Sequence, residues 1–235
     1  MTTAIPPRPA RARRLVAEFV GTGALVAIVV GSGAMASRLS PDDTGLQLLE
    51  NSLATALGLA VLIALLAPVS GAHFNPVVSA VAFVTRDGLR TPEAALYIVV
   101  QVAGAVGGAL LANAMFDIAP GLSGTERAGW GTLTGEVVAT AGLVLVILGL
   151  TRAGRGAGVI GAAVGAYIGA AYWFTSSTAF ANPAVTVGRI VSDSFAGIAP
   201  ASAPPFIAAQ LVGGAIGLGL AGILFPRTTI RTESA

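Results

Sequence analysis

Six stretches of this chain are each long and apolar enough to cross a lipid bilayer, and that constrains the fold more than any other feature. A spanning helix needs about 20 mostly apolar residues to cover about 30 Å of hydrocarbon. Leu15–Ala36, Gln47–Ala67, Ala94–Phe116, Gly131–Leu150, Ala157–Phe174 and Phe206–Phe225 meet that requirement. A soluble reading fails on charge. Of the 235 residues 54% are hydrophobic and only 10% charged, against roughly 25% charged in an ordinary soluble domain. Thirteen basic and 11 acidic side chains are too few to clothe a soluble surface of this size. The apolar content also excludes a disordered chain, and the absence of cysteine excludes a disulfide scaffold. The net charge is +2 with no basic stripe between aromatics, so nucleic acid is not an expected partner. The partner implied is the bilayer itself.

Six spans put both termini on one face. Arg8, Arg11, Arg13 and Arg14 precede the first span, and Arg86 and Arg90 follow the second. Arg152 and Arg155 lie between the fourth and fifth, and Arg227 and Arg231 follow the last. Only Arg38, Arg127 and Arg189 fall opposite. The positive-inside rule therefore predicts cytoplasmic termini in a multi-pass protein of the cell (plasma or inner) membrane. The Arg-rich start followed by Ala34-Met35-Ala36 mimics a cleaved secretory signal, but the run is long and carries Glu18, which recurs later. Residues 1–14, with Pro6, Pro7 and Pro9, are predicted to form a cytoplasmic disordered tail. Residues 15–235 are predicted to form a single channel domain.

The chain repeats itself. Glu18-Phe19-Val20-Gly21-Thr22 corresponds to Glu136-Val137-Val138-Ala139-Thr140. Asn75-Pro76-Val77 corresponds to Asn182-Pro183-Ala184, and Gln101-x-x-Gly104-x-x-x-Gly108 to Gln210-x-x-Gly213-x-x-x-Gly217, in the same order. The repeat halves run over about 15–116 and 131–226, each with three spans. An odd number of spans makes the repeat inverted, with a pseudo-two-fold axis in the membrane plane. Each Asn-Pro precedes a short apolar stretch, Val77–Val84 and Ala184–Val191, about half the length needed to span. The prediction is an all-α integral membrane protein: six transmembrane helices plus two re-entrant half-helices meeting end to end.

Asn is a strong N-cap and Pro is favoured at the first helical position. Asn75, Pro76, Val77 and Asn182, Pro183, Ala184 therefore read as two helix starts facing each other near the midplane. Non-helical backbone at that depth survives only where it lines a cavity or is buried in protein. The Asn amides and loop carbonyls would replace the hydration of a passing solute, while two positive helix ends repel cations. That describes a conduit for small neutral, hydroxyl-bearing solutes.

Those motifs resemble the aquaporin (major intrinsic protein) family, with Ser70-Gly71-Ala72-His73-Phe74-Asn75-Pro76 matching its first signature and Asn182-Pro183-Ala184 its second. Val77 departs from the usual Ala. The resemblance implies an aquaporin-like fold, a homotetramer with one pore per subunit and passive flow. It also implies an outer constriction at Thr55, Ala170, Ala179 and Val185, where family members that select water or glycerol carry an arginine at the last place. Four small uncharged side chains would leave a broad filter. Some microbial members that carry Val there are associated with arsenic, so metalloid hydroxides such as arsenite (arsenous acid), with glycerol and water, are the expected cargo. A water- or glycerol-selective aquaporin is the alternative.

Arg189 lies four after Val185, on the same helical face, and is a possible outer-mouth cation; it is equally placed to reach headgroups or Asp193. Glu18 and Glu136 are carboxylates inside spans. They would be proton sites in a proton-coupled secondary transporter, or scaffold carboxylates accepting loop N–H groups; the resemblance favours the scaffold. Gln101 and Gln210 read as loop-anchoring amides. Tyr97, Tyr172 and Trp173 are expected at interfaces or between subunits. His73 is the only histidine and, without cysteine or clustered carboxylates, predicts no metal site. No nucleophile–base pair is present, so neither an enzyme nor a cofactor is predicted.

Overall fold

The computed structural model describes residues 9–86, 89–119 and 121–226. Its helices are α1 (Arg11–Leu39), α2 (Thr44–Ser70), α3 (Pro76–Val84), α4 (Thr91–Met115), α5 (Trp130–Arg152), α6 (Ala157–Phe174), α7 (Pro183–Gly188) and α8 (Ala203–Leu224). Six of them are long and apolar enough to cross a membrane. α1 begins at Arg11, so the last four residues of the predicted tail are helical. The first eight residues, with Arg8, and the final basic stretch, with Arg227 and Arg231, lie outside the described residues.

The short helices α3 and α7 are the two half-helices. α3 starts at Pro76, capped by Asn75, whose Oδ1 accepts from Val77 N at 2.9 Å. α7 starts at Pro183, capped by Asn182, whose Oδ1 accepts from Ala184 N at 2.9 Å and Val185 N at 3.3 Å. α7 is shorter than predicted: it stops at Gly188 and gives way to a 3₁₀ turn over Arg189–Val191. Gly188 is required by proximity, since a Cβ there would stand 2.7 Å from the Ala105 carbonyl oxygen of α4.

Small residues set the packing of the long helices. α1 packs chiefly on α4 and α5 on α8, the same pair in each half, while α2 and α6 pack on each other across the halves. A Cβ at Gly104 or Gly108 would overlap the carbonyl oxygens of Phe19 and Gly23 on α1. In the second half a Cβ at Gly213 or Gly217 would meet those of Val137 and Ala141 on α5. Gly161 and Gly165 bring α6 equally close to Ala60 and Ala56 of α2. Backbones that approach this closely associate by van der Waals packing without any help from water. One arginine closes the end of each pair. Arg38 donates to the Phe116 carbonyl at the end of α4, and Arg152 to the Ala221 and Phe225 carbonyls at the end of α8. Each cation satisfies carbonyls that the helix leaves open.

The departure at Val77 is accommodated locally. Val77 is buried against Val144 and Leu148 of α5, and a Cβ on Gly214 would lie 2.5 Å from its Cγ1. Gly214→Ala is therefore expected to overpack the site by about 1–3 kcal/mol. That lowers the melting temperature of the detergent-solubilised protein by about 2–4 °C per kcal/mol. The Val77→Ala/Gly214→Ala double variant should recover most of the loss; equal melting of single and double variants would contradict the coupling.

Candidate functional site: a braced, hourglass passage

The tips of α3 and α7 meet. Asn75 Nδ2 donates to the Ala181 carbonyl at 2.8 Å, and Asn182 Nδ2 donates to the Phe74 carbonyl at 2.7 Å. From the sequence these amides are expected to point at a passing solute. In the structure one N–H of each is spent on the opposing loop, and the second remains for the cavity that both residues line. Pro76, Val77, Pro183 and Ala184 are buried behind this junction and line none of the cavities described below.

Each loop is held from behind by a carboxylate. Glu18 Oε1 accepts from Ser70 Oγ (2.6 Å) and His73 N (3.0 Å), and its Oε2 from Phe74 N (2.8 Å) and Gln101 Nε2 (2.8 Å). Glu136 Oε1 accepts from Phe180 N (2.9 Å), and its Oε2 from Ala181 N (2.8 Å) and Gln210 Nε2 (2.6 Å). Gln101 and Gln210 also donate to Ser79 Oγ and Thr186 Oγ1, each at 2.9 Å, which ties α4 to α3 and α8 to α7. Both carboxylates are fully buried and outside the cavities. This anchoring holds Ala72, Phe74, Ala179 and Ala181 at φ near +50°, left-handed values that L-residues adopt only under constraint.

Three cavities run in series past the junction. The central one, about 60 Å³, is lined by Asn75, Asn182 and the loop residues around them. It shares Ala72, His73 and Val78 with a wider cavity of about 310 Å³ that reaches Thr85 and Thr151, on the face where α1 begins. It shares Arg189 with a third of about 220 Å³ bordered by Thr44, Asn51, Arg127 and Thr178, on the opposite face. The walls are stripes at helical spacing: Leu25 and Val29, Thr55, Leu59 and Ile63, Leu143 and Ile147, Val164, Ile168 and Tyr172. One side of the passage is thus apolar and the other presents amides and loop backbone.

Three of the four predicted constriction positions, Thr55, Ala179 and Val185, line the narrow cavity and are buried. The fourth does not. Ala170 is exposed on the outside of α6, and Ile168 and Tyr172 face inward instead. Ala170, 12 residues before Asn182, is out of phase with the i, i+4 stripe through Val164, Ile168 and Tyr172 that lines the cavity. Tyr172 OH lies 3.2 Å from Thr55 Oγ1, so a bulky, hydrogen-bonding ring occupies the ring of groups expected to be small. Tyr97, expected at an interface, is fully buried with its hydroxyl donating to the Ser70 carbonyl at 2.9 Å. Trp173 is half exposed and donates to Ser52 Oγ at 3.1 Å.

Arg189 is buried, one turn beyond Val185, and lines both the central cavity and the cavity of the opposite face. Its guanidinium lies 3.4 Å from the Phe180 ring centroid, and its Nε donates to the Ala196 carbonyl. It makes no ion pair with Asp193, whose carboxylate accepts from Gly124 N at 3.1 Å instead. Arg127, in a polar connection with no motif to mark it, lies 5.4 Å from the same ring. It donates to the Gly197 carbonyl at 2.6 Å and the Phe195 carbonyl at 2.9 Å. Burial is the main influence that lowers its pKa below the ordinary value, opposed by electrostatic attraction to Glu136.

Residues 7–176 match the sequence model described as "Major intrinsic protein". The chain is 48% identical over 209 residues to Aquaglyceroporin AqpS of Rhizobium meliloti (strain 1021), a match covering 88% of each. It is 38% identical over 117 residues to the Glycerol uptake facilitator protein of Pseudomonas aeruginosa, covering 50% of this chain and 40% of that protein. The fold also resembles the X-ray structure of the aquaglyceroporin from Plasmodium falciparum. There the TM-score is 0.71 at 20% identity, with 92% of this chain and 97% of that one covered.

Proposed function

This chain belongs to the major intrinsic protein family of membrane channels, and on that premise we propose that it passes glycerol, water and metalloid hydroxides such as arsenous acid passively. The observation that carries the reading is the hourglass passage beside the cross-bonded Asn75 and Asn182. Small hydroxyl-bearing molecules can slide their carbon or metalloid face along the apolar stripes while exchanging hydrogen bonds with the free amide N–H groups and the loop backbone. Two helix starts meeting at one point keep that point unfavourable for cations.

In this reading Thr55, Tyr172, Ala179 and Val185 form the constriction. Val185 leaves room that an arginine would fill, which favours solutes bulkier than water; the relative that shares 48% of its residues with this chain is itself an aquaglyceroporin. Arg189 serves as the outer-mouth cation. The distribution of arginines favours cytoplasmic termini in the cell membrane, and the family resemblance a homotetramer of one domain per subunit. Glu18 and Glu136 act as scaffold carboxylates.

The test is flux in proteoliposomes. Glycerol, water and arsenous acid fluxes are expected to rise in proportion to the imposed gradient and to ignore a protonophore. Uptake that saturates at low concentration and collapses with the proton gradient would replace the channel by a coupled transporter.

A further inference from the structure

The two halves of this molecule are built alike, and one difference between them stands out. Seven residues after each capping Asn, the first half has Ala82 and the second has Arg189. Two residues before each Asn, His73 packs edge-on to Tyr97 with centroids 5.4 Å apart, and Phe180 packs edge-on to Phe206 at 5.2 Å. In the second half two guanidiniums join the ring pair: Arg189 and Arg127 both lie against Phe180, so their central carbons are within about 9 Å of each other.

Among the described residues neither guanidinium takes part in an ion pair. Among the described residues the one ion pair joins Arg14 and Glu93, at the other face. The nearby carboxylates are occupied elsewhere. Glu136 holds its loop, Asp193 accepts from Gly124 N, and the exposed Glu126 accepts from Ser202 Oγ at 3.4 Å. Arg189 uses only Nε, and Arg127 only Nε and Nη2, in hydrogen bonds. None of their remaining N–H groups is sealed off from solvent. Both side chains border the same cavity of about 220 Å³, with Thr44 and Thr178 beside them. Asn51 also borders it, but its amide N–H groups are committed to the Val29 carbonyl (2.8 Å) and Ser32 Oγ (2.9 Å).

We propose that this cavity is a binding site for a small inorganic oxyanion, held between Arg127 and Arg189 at one mouth of the passage. Two guanidinium forks fixed by backbone carbonyls and an aromatic face are preorganised for the oxygens of such an ion. Like charges held this close in a partly closed cavity make a strongly positive potential that a bound anion relieves. The ion sits across the route to the central cavity and so competes with neutral solute for it. The inference rests on the channel reading only for that last consequence.

Inorganic phosphate is the probe, with chloride at equal ionic strength as control. In lipid-free detergent, so that free phosphate and no lipid headgroup is the ligand, phosphate is expected to raise the melting temperature of the full chain. The rise should saturate, and Arg127→Gln and Arg189→Gln should each abolish it. In proteoliposomes with phosphate on both sides at twice its Kd, glycerol flux should fall about threefold for the unaltered protein, since the unoccupied fraction is 1/(1 + [L]/Kd). In Arg127→Gln it should not fall. Arg127 is only half buried, so that variant keeps the test decisive if Arg189→Gln fails to fold. Phosphate and chloride acting alike on melting, or Arg127→Gln responding to phosphate as the unaltered protein does, would overturn the site. A phosphate-dependent melting shift in a protein without glycerol flux would keep the site and reject the channel reading instead.

Discussion

Replacing Glu136 by Gln is expected to cost the protein its folded form rather than to change what it carries. The carboxylate accepts from two consecutive backbone N–H groups, those of Phe180 and Ala181, and from Gln210. An amide offers one acceptor oxygen and turns an NH₂ toward the other donors, so at least one buried N–H is left facing another donor. Each such loss costs about 1–3 kcal/mol, more where the acceptor was charged. The loop it anchors carries Ala179 and Ala181 in left-handed conformations that are costly in themselves and persist only while fixed from outside. Where the NH₂ takes the place of the oxygen that accepts twice, the two losses total about 2–6 kcal/mol, a large share of the roughly 5–15 kcal/mol that holds a typical domain together. Glu18→Gln should do the same through His73 and Phe74. The measurement is folded yield and melting temperature in detergent. A Glu136→Gln protein that folds normally and has lost only its response to a proton gradient would show the carboxylate to be a relay and remove the scaffold assignment.

Val185→Arg is expected to lower glycerol and arsenous acid flux at least about tenfold, equivalent to a barrier rise of about 1.4 kcal/mol, and to lower water flux less. Val185 faces the smallest of the three cavities in series, about 60 Å³, which Thr55, Tyr172 and Ala179 also line. A guanidinium on a longer stem would fill much of that space, and Arg189 one turn on would repel it toward the lumen. Val185→Leu separates the causes, because it adds bulk without charge. If both variants exclude glycerol the barrier is steric; if only the arginine does, it is electrostatic. Unchanged glycerol flux in a folded Val185→Arg protein would mean that the ring is not the point of selection.

The spans, the inverted repeat and the paired helix starts were legible because each rests on a local rule: apolar length, self-similarity, Asn-Pro capping. Glu18, Gln101 and their counterparts were legible through the repeat alone. What failed was counting. The family resemblance implies Ala170 by spacing from Asn182, whereas the inward face of α6 is set by helical phase, which a stripe through Ile168 and Tyr172 carries. The early end of α7 depends on how near Gly188 comes to Ala105, a contact between distant segments. Arg127 lies in a polar connection with no periodicity, and nothing short of the folded loop brings it to Phe180. The use of the Asn amides as cross-ties was equally invisible, since their partners are backbone carbonyls that every residue has.

Those cross-ties are reciprocal: the first segment's amide grips the second segment's loop, and the second returns the grip. Nothing in that exchange distinguishes one partner from the other. A polypeptide of half this length, inserted in the bilayer both ways up, would make the same handshake with its own inverted twin, so this architecture is one that gene duplication and fusion can reach from an antiparallel homodimer.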